Sequence, residues 1–176
     1  MSGARGSAAP GPAAAPLDLE SRVAPTDHAA LRVWLRLLAT TNLIEKRVRR
    51  KLEDQFDTTL PRFDLMAQLH RAPDGLKMSE LSRRMMVSGG NVTGIADSLE
   101  GDGLIRRTPD PRDGRASLLR LTDSGRRQFR AMADRHERWI IEIFAALGDR
   151  EIAELAALLA RLKTAAHGLE EREIER

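Results

Sequence analysis

The stretch from Met78 to Thr122, MSELSRRMMVSGGNVTGIADSLEGDGLIRRTPDPRDGRASLLRLT, limits what this chain can become more than any other part of it. Ser79 to Met85 sets Leu81 and Met85 on one face of a short helix. Val87-Ser88-Gly89-Gly90 predicts a tight turn, with Ser88 as N-cap of a second helix from about Gly89 to Asp102. On a 3.6-residue wheel Val92, Ile95, Ala96 and Leu99 share one side of that helix. Gly90, Thr93, Gly94, Asp97 and Gly101 lie opposite, with Ser88 and Asn91 near the N-terminus, and Gly103 stops the helix. Leu104 to Thr108 and Ser117 to Leu121 have the pattern of two β-strands, and PDPRDGRA between them is a turn-rich tip carrying Arg112 and Arg115. The order is helix, turn, helix, wing.

That order is a known means of entering duplex DNA. The second helix carries no basic residue and instead has Asp97, Glu100 and Asp102, so the charge that attracts phosphates must come from its neighbours. Arg83, Arg84, Arg106, Arg107, Arg112 and Arg115 flank it, and Arg62 can reach it from the preceding helix. Arginines would anchor on the backbone while small residues let the helix lie close to base edges. Asn91 is suited to a bidentate contact with adenine, Thr93 to a thymine methyl, and Asp97 to orienting an arginine or, alternatively, reading cytosine. Each signal alone has a plainer explanation: GGN as a turn and helix start, Arg106 and Arg107 as a solvated strand end. Their order and spacing together are what point to DNA.

Composition narrows the remaining classes. At 176 residues the chain holds one domain or two small ones. Apolar residues make up 41% but aromatics only 3%, with no Tyr, so the core must be aliphatic and mainly helical. Net charge is only +3 although the pI is about 9.9, as suits a basic face that is local. The absence of cysteine excludes disulfides, thiolate metal sites and cysteine redox sensing. His28, His70, His136 and His167 stand at neither triad nor metal spacing, and SGGNVTG lacks the lysine of a phosphate-binding loop, which argues against an enzyme. No cofactor or metal is expected. No apolar run is long enough to span a membrane, so a soluble cytoplasmic protein is expected.

Around the wing the pattern is helical. Residues 1–25 are rich in Ala, Gly, Pro and Ser, lack a signal-peptide core, and are expected to be a disordered tail. Residues 26–60 are expected to form a long dimerisation helix, with Asp27 contributing to its cap. Leu31, Trp34, Leu35, Leu38, Leu52 and Phe56 make one stripe and Val33, Leu37, Ile44 and Val48 another, a face wider than one small domain requires. Such a helix would extend about 45 Å, beyond a winged-helix core. The DNA-binding domain is expected over 61–121, with Pro61 at the first helical position and Phe63, Met66, Ala67 and Leu69 or His70 inward. Residues 122–172 should complete the dimerisation domain. There Thr122 or Ser124 caps a helix to about Leu147, with Phe129, Met132, His136, Ile140, Ile143 and Phe144 inward, and Gly148 ends it. Asp149 would cap a last helix striped by Ile152, Leu155, Leu158, Leu159, Leu162 and Ala166, its charged end EEREIER fraying. The expected fold is mainly α with a small β-wing. The bare apolar faces call for a second copy of the chain or, alternatively, a helical subdomain folded back within the monomer. A two-fold dimer would also suit a palindromic site.

The residues LSRRMMVSGGNVTGIADSLEGDGLIRRTPDPRDGRASLLRLTDSG, and DPRDGRA followed by LLRLTDSG in particular, resemble the MarR family of bacterial transcription regulators over about Leu31 to Ala166. The resemblance implies an obligate, triangular homodimer with recognition helices in successive major grooves and wing tips at the minor groove. Carried over by position, Arg115 is the wing arginine that enters the minor groove and Asp113 the aspartate that pairs with arginine and holds the loop. Ser88, Asn91 and Thr93 fall at contacting positions of the recognition helix, while the basic residue the family often carries is here Gly94. The segment TLPRFDLMAQLHRAPDGLKMSELSRRMMVSGGNVTG is similar to the branch sensing aromatic acyl-CoA thioesters such as hydroxycinnamoyl-CoA, whose members repress genes of aromatic acid breakdown. The family in general responds to small aromatic anions, bound where the dimerisation helices meet the winged domain. In this chain that junction would involve Leu38, Asn42, Phe63, Met66, His136, Trp139 and Ile140. Ordinary core packing also accounts for each of these. A rival to the regulator is a winged-helix architectural or protein-interaction module without an effector.

Overall fold

The structure is a computed structural model that describes residues 29–174 except Arg112; the side chains of 113–115 and 169–174 also lie outside the described set. The expected tail over 1–25 and the Asp27 cap therefore fall outside the described residues. Six helices and a small antiparallel sheet follow one another as α1 (Ala29–Phe56), α2 (Leu60–His70), β1 (Leu76–Lys77), α3 (Met78–Met85), α4 (Gly89–Gly101), β2 (Ile105–Asp110), β3 (Asp113–Leu121), α5 (Asp123–Phe144) and α6 (Asp149–Ile174). By internal contacts the chain divides into two compact units, residues 1–46 and 47–176. The described part of the first is the leading half of α1, where Leu31, Val33, Trp34 and Leu43 are exposed.

The second unit is built on the winged helix. α2 begins at Leu60 with Thr59 as its N-cap, so Pro61 sits at the second helical position, one later than expected. There its missing N–H still costs nothing, because the first-turn donors lack intrahelical partners. Phe63, Leu65, Met66 and Leu69 of α2 are buried, together with Leu81 of α3, Val92, Ala96 and Leu99 of α4, and Leu119 and Leu121 of β3. Each large apolar side chain sealed in this way stabilises the fold by about 2 kcal/mol. The set expected inward for α2 omits Leu65, which is fully buried; of the alternatives Leu69 and His70, Leu69 is the buried one and His70 is exposed.

The sheet has strand order β1-β3-β2. β1 was not legible as a strand; it pairs Leu76 with Leu119 and Lys77 with Leu118. β2 and β3 are longer than the pattern suggested, running from the pair Ile105–Leu121 out to Asp110–Asp113, with an irregularity between Pro109 and Asp110. Residues taken for the turn thus extend the wing.

The joints are made by caps. α4 closes through Gly103 (φ 68°), whose N–H donates to the Glu100 carbonyl at 2.9 Å while the Leu104 N–H reaches the Leu99 carbonyl at 2.9 Å. Thr122 then caps α5: its Oγ1 accepts from the Gly125 N–H at 3.0 Å and donates to the Gly103 carbonyl at 2.8 Å, fastening the end of one helix to the start of another. α5 ends at Phe144, short of Leu147. The Gly148 N–H is held by Glu151 Oε2 at 2.9 Å, so Asp149 lies inside the first turn of α6 rather than capping it. α6 runs to Ile174, and Ile152, Leu158, Leu159 and Leu162 are exposed along it.

Candidate nucleic-acid interface

The α3–α4 connection turns at Met86, a non-glycine residue in the left-handed region (φ 54°). The Val87 N–H returns to the Ser82 carbonyl at 3.2 Å, and Ser82 Oγ donates to the Val87 carbonyl at 2.6 Å. These two bonds secure a backbone that is otherwise unfavourable by about 1 kcal/mol. The turn therefore centres on Met86, earlier than expected. Ser88 is the N-cap of α4 through its backbone, its carbonyl accepting from Asn91 at 3.1 Å and Val92 at 3.2 Å, but its side chain makes no cap hydrogen bond. That departs from the capping role expected for the hydroxyl.

The outward side of α4 is made of small and polar groups. Ser88, Gly90, Asn91, Thr93 and Gly94 are exposed, and an added Cβ at Gly90 or Gly94 would meet nothing within 4 Å. Thr93 Oγ1 donates to the Gly89 carbonyl at 2.9 Å, leaving its methyl on the exposed side. Arg83 is exposed and makes no ion pair among the described residues, whereas Arg84 pairs with Glu80 at 2.5 Å.

The carboxylates of α4 are not bare. Arg107 of β2 places Nη2 2.6 Å from Asp97 Oδ1, while Nη1 pairs with Glu100 Oε2. The backbone N–H of Arg107 donates to Glu100 Oε1 at 3.1 Å. The hydrogen bond to Asp97, reinforced by the charge of Glu100, holds the Arg107 guanidinium above its ordinary value. On the other flank Arg62 of α2 reaches Ser98 Oγ and Asp102. Pairs this exposed contribute at most about 1 kcal/mol to stability, so their consequence lies in charge and orientation. Sequence reasoning assigned Asp97 to an arginine without identifying which one. Arg62 was expected to reach α4 as a source of charge for phosphates; that it meets Ser98 and Asp102, 40 residues on, left no local signal.

Arg106 and Arg107 are adjacent on β2 and point to opposite faces of the sheet. Arg107 serves α4. Arg106 contributes to the field at the N-terminus of α5, where Arg126, at 2.9 Å, and secondarily Arg127 and Arg106 depress the Asp123 carboxyl below its usual range. In the wing, Arg112 lies outside the described residues. Asp113 belongs to the β3 ladder opposite Asp110, and Arg115 follows on the same strand; their side chains are outside the described set. One residue was missed: Asp110 is buried at 7% exposure and pairs with Lys77 of β1 at 3.0 Å, tying the wing strand to the sheet edge.

The expected effector residues divide. Leu38, half-buried, and Asn42, exposed, belong to the first unit. In the second unit Met66 is sealed in the core and Ile140 is half-buried. Phe63, His136 and Trp139 come together. The Phe63 ring lies 5.0 Å from His136 and 5.5 Å from Phe129, and His136 lies 6.4 Å from Trp139. Two partners were not anticipated here: Phe56, 6.4 Å from Trp139, and Lys51, whose ammonium stands 5.3 Å over the Trp139 ring while pairing with Glu142 at 3.1 Å. Burial lowers the pKa of His136 below 6.5.

A helix-turn-helix followed by a two-stranded wing, whose strands β2 and β3 form a three-stranded antiparallel sheet with β1, defines a winged helix-turn-helix protein. Residues 58–117 match the MarR family. The chain is 33% identical over 123 residues to the transcriptional activatory protein BadR of Rhodopseudomonas palustris, covering 65% of this chain and 69% of BadR. It is 31% identical over 150 residues to the HTH-type transcriptional repressor MdtR of Bacillus subtilis, covering 85% of this chain and 96% of MdtR. The crystal structure of a MarR family transcriptional regulator from Silicibacter pomeroyi matches with a TM-score of 0.67 at 32% identity, over 78% of this chain and 94% of that one. The chain belongs to the MarR family of DNA-binding transcriptional regulators.

Proposed function

We propose that the chain is a cytoplasmic, ligand-responsive repressor that binds a palindromic operator as a homodimer and is released by a small aromatic ligand. The observation that carries the DNA-binding mode is the exposed face of α4, on which Ser88, Gly90, Asn91 and Thr93 lie bare, with Arg83 exposed on the preceding helix α3. A helix surface this short in side chains can lie deep in a major groove, with Asn91 matched to adenine and Thr93 to a thymine methyl. Arg112 and Arg115, with Asp113 ordering the tip, would reach the adjacent minor groove, where a narrow A·T tract attracts arginine. Arg84 and Arg106 would add backbone contacts at the margins.

Two copies are supported by the apolar side chains exposed on the leading half of α1 and along α6, which water would otherwise cover. The repressor sense follows MdtR, which aligns over almost its whole length and is named a repressor. For the effector, the aromatic candidate is the ring cluster of buried Phe63 and Trp139 with half-buried His136, and Lys51 is a cation beside it. An aromatic acyl-CoA suits the chemistry because the ring can stack while its phosphates meet surface arginines. A preference of about 3 kcal/mol for a form with mis-spaced recognition helices would change operator occupancy more than a hundredfold.

The test is to titrate a preformed protein–operator complex with coumaroyl-CoA, benzoyl-CoA and the corresponding free acids. Release by a thioester and not by its acid is the expected result. Release by a free phenolic acid alone would reject the thioester and leave a different aromatic effector.

A further inference from the structure

We propose that Arg107 is a positioning residue of the recognition helix: it neutralises Asp97 and Glu100 and ties α4 to the wing strand, and it does not itself contact DNA. The inference rests on α4 being the helix that meets DNA. α4 and its C-cap carry three carboxylates, Asp97, Glu100 and Asp102, and no basic residue. Left bare, such a helix would be repelled by duplex DNA, whose phosphates present about one negative charge per 1.7 Å of axis.

All three carboxylates are met by guanidinium groups of the same chain. Arg107 takes two of them from the wing side, and Arg62 takes the third from α2. Arg107 is doubly committed: its side chain bridges two carboxylates one turn apart on α4 while its own backbone N–H donates to Glu100. This ties α4 to β2 from one flank while Asn91, Thr93 and Gly94 stay exposed. It also lets the helix approach the groove with little net charge. The phosphate attraction is then left to residues such as Arg83, which is exposed with no ion pair among the described residues.

A mutant cycle separates positioning from phosphate contact. Operator affinity is measured by fluorescence anisotropy across a salt series for the wild type, Arg107→Gln, Asp97→Asn/Glu100→Gln and the triple variant, with melting curves verifying the fold. Arg107→Gln should bind roughly tenfold more weakly, because two carboxylates become uncompensated at the interface. The neutral triple variant should recover to within about threefold of wild type with an unchanged salt slope, since nothing is then left to neutralise. A triple variant as weak as Arg107→Gln, with its slope lowered by about one, would mean that Arg107 contacts a phosphate, and would overturn the proposal. Should Arg107→Gln fail to fold, Arg107→Lys provides the comparison. It keeps one positive charge but, as a point charge without the fork, meets only one of the two carboxylates, so binding should weaken at unchanged slope, and wild-type affinity would refute the proposal. Failure of the wild type to bind any duplex would instead remove the reading of α4 as a recognition helix, a result distinct from either outcome of the cycle.

Discussion

Gly125 and Gly94 illustrate two uses of a missing side chain. Gly125 is buried in the first turn of α5, and a Cβ there would overlap the carbonyl oxygen of Leu104, with the carbonyl carbon only 2.9 Å away. That carbonyl accepts from the Thr122 N–H at 3.0 Å, so it cannot retreat without breaking the joint between α4 and α5. Gly94 is the reverse case: it is exposed in mid-helix with open space around it. Gly125→Ala should therefore cost about 3 kcal/mol of stability. Gly94→Ala should gain up to about 1 kcal/mol from helix propensity yet weaken operator binding, because the added methyl stands where a base edge would approach. Thermal melts paired with anisotropy titrations check both. A Gly94→Ala protein that melts higher and binds operator as tightly as wild type would show that this face of α4 does not meet DNA.

At the scale of elements, α2 and α5 pack through rings: Phe63 on Phe129 and His136, and His70 on Phe129 at 4.8 Å. The half-buried His136 is disfavoured as a cation, its folded pKa lying below the 6.5 expected of an exposed histidine. The unfolded chain thus binds its proton first. The contribution of a neutral His136 is fully present above about pH 6.5 and is lost as pH falls through the lower folded value. Melting temperature should decline on acidification from neutrality, and His136→Phe should decline less. Identical pH profiles for the two proteins would contradict the assignment. The long helices were legible in the sequence because their apolar period repeats over many turns, and α4 because Gly103 marks its end. β1 was hidden by its two-residue length. The wing strands were underestimated because Pro109 and Asp110 have turn composition but pair with β3. The ion pairs of Arg62 and Arg107 depend on elements meeting in space, which no local pattern of charges records. Which side of α4 is exposed was legible because that needs only one helix wheel. The contacts of Phe56 and Lys51 with Trp139 were not legible, since they arise only through the packing of α1 against α5 in the second unit.

For the whole molecule, the basic balance is modest, +3 over 176 residues, so attraction to DNA depends on where the arginines stand rather than on their sum. The exposed Leu158, Leu159 and Leu162 of α6, and Leu31 and Trp34 of α1, are apolar surface that the proposed second copy would cover. A dimer would convert one exposed α4 into a pair, spaced to read both halves of a palindrome. The most direct measurement is a stoichiometric anisotropy titration of a labelled palindromic duplex, drawn from the DNA upstream of the chain's own gene, beside a scrambled duplex at the same salt. Saturation at two chains per palindrome, with binding at least about a thousandfold tighter than to the scrambled sequence, is the predicted result. Equal affinity for the two duplexes, or saturation by a single chain, would contradict it.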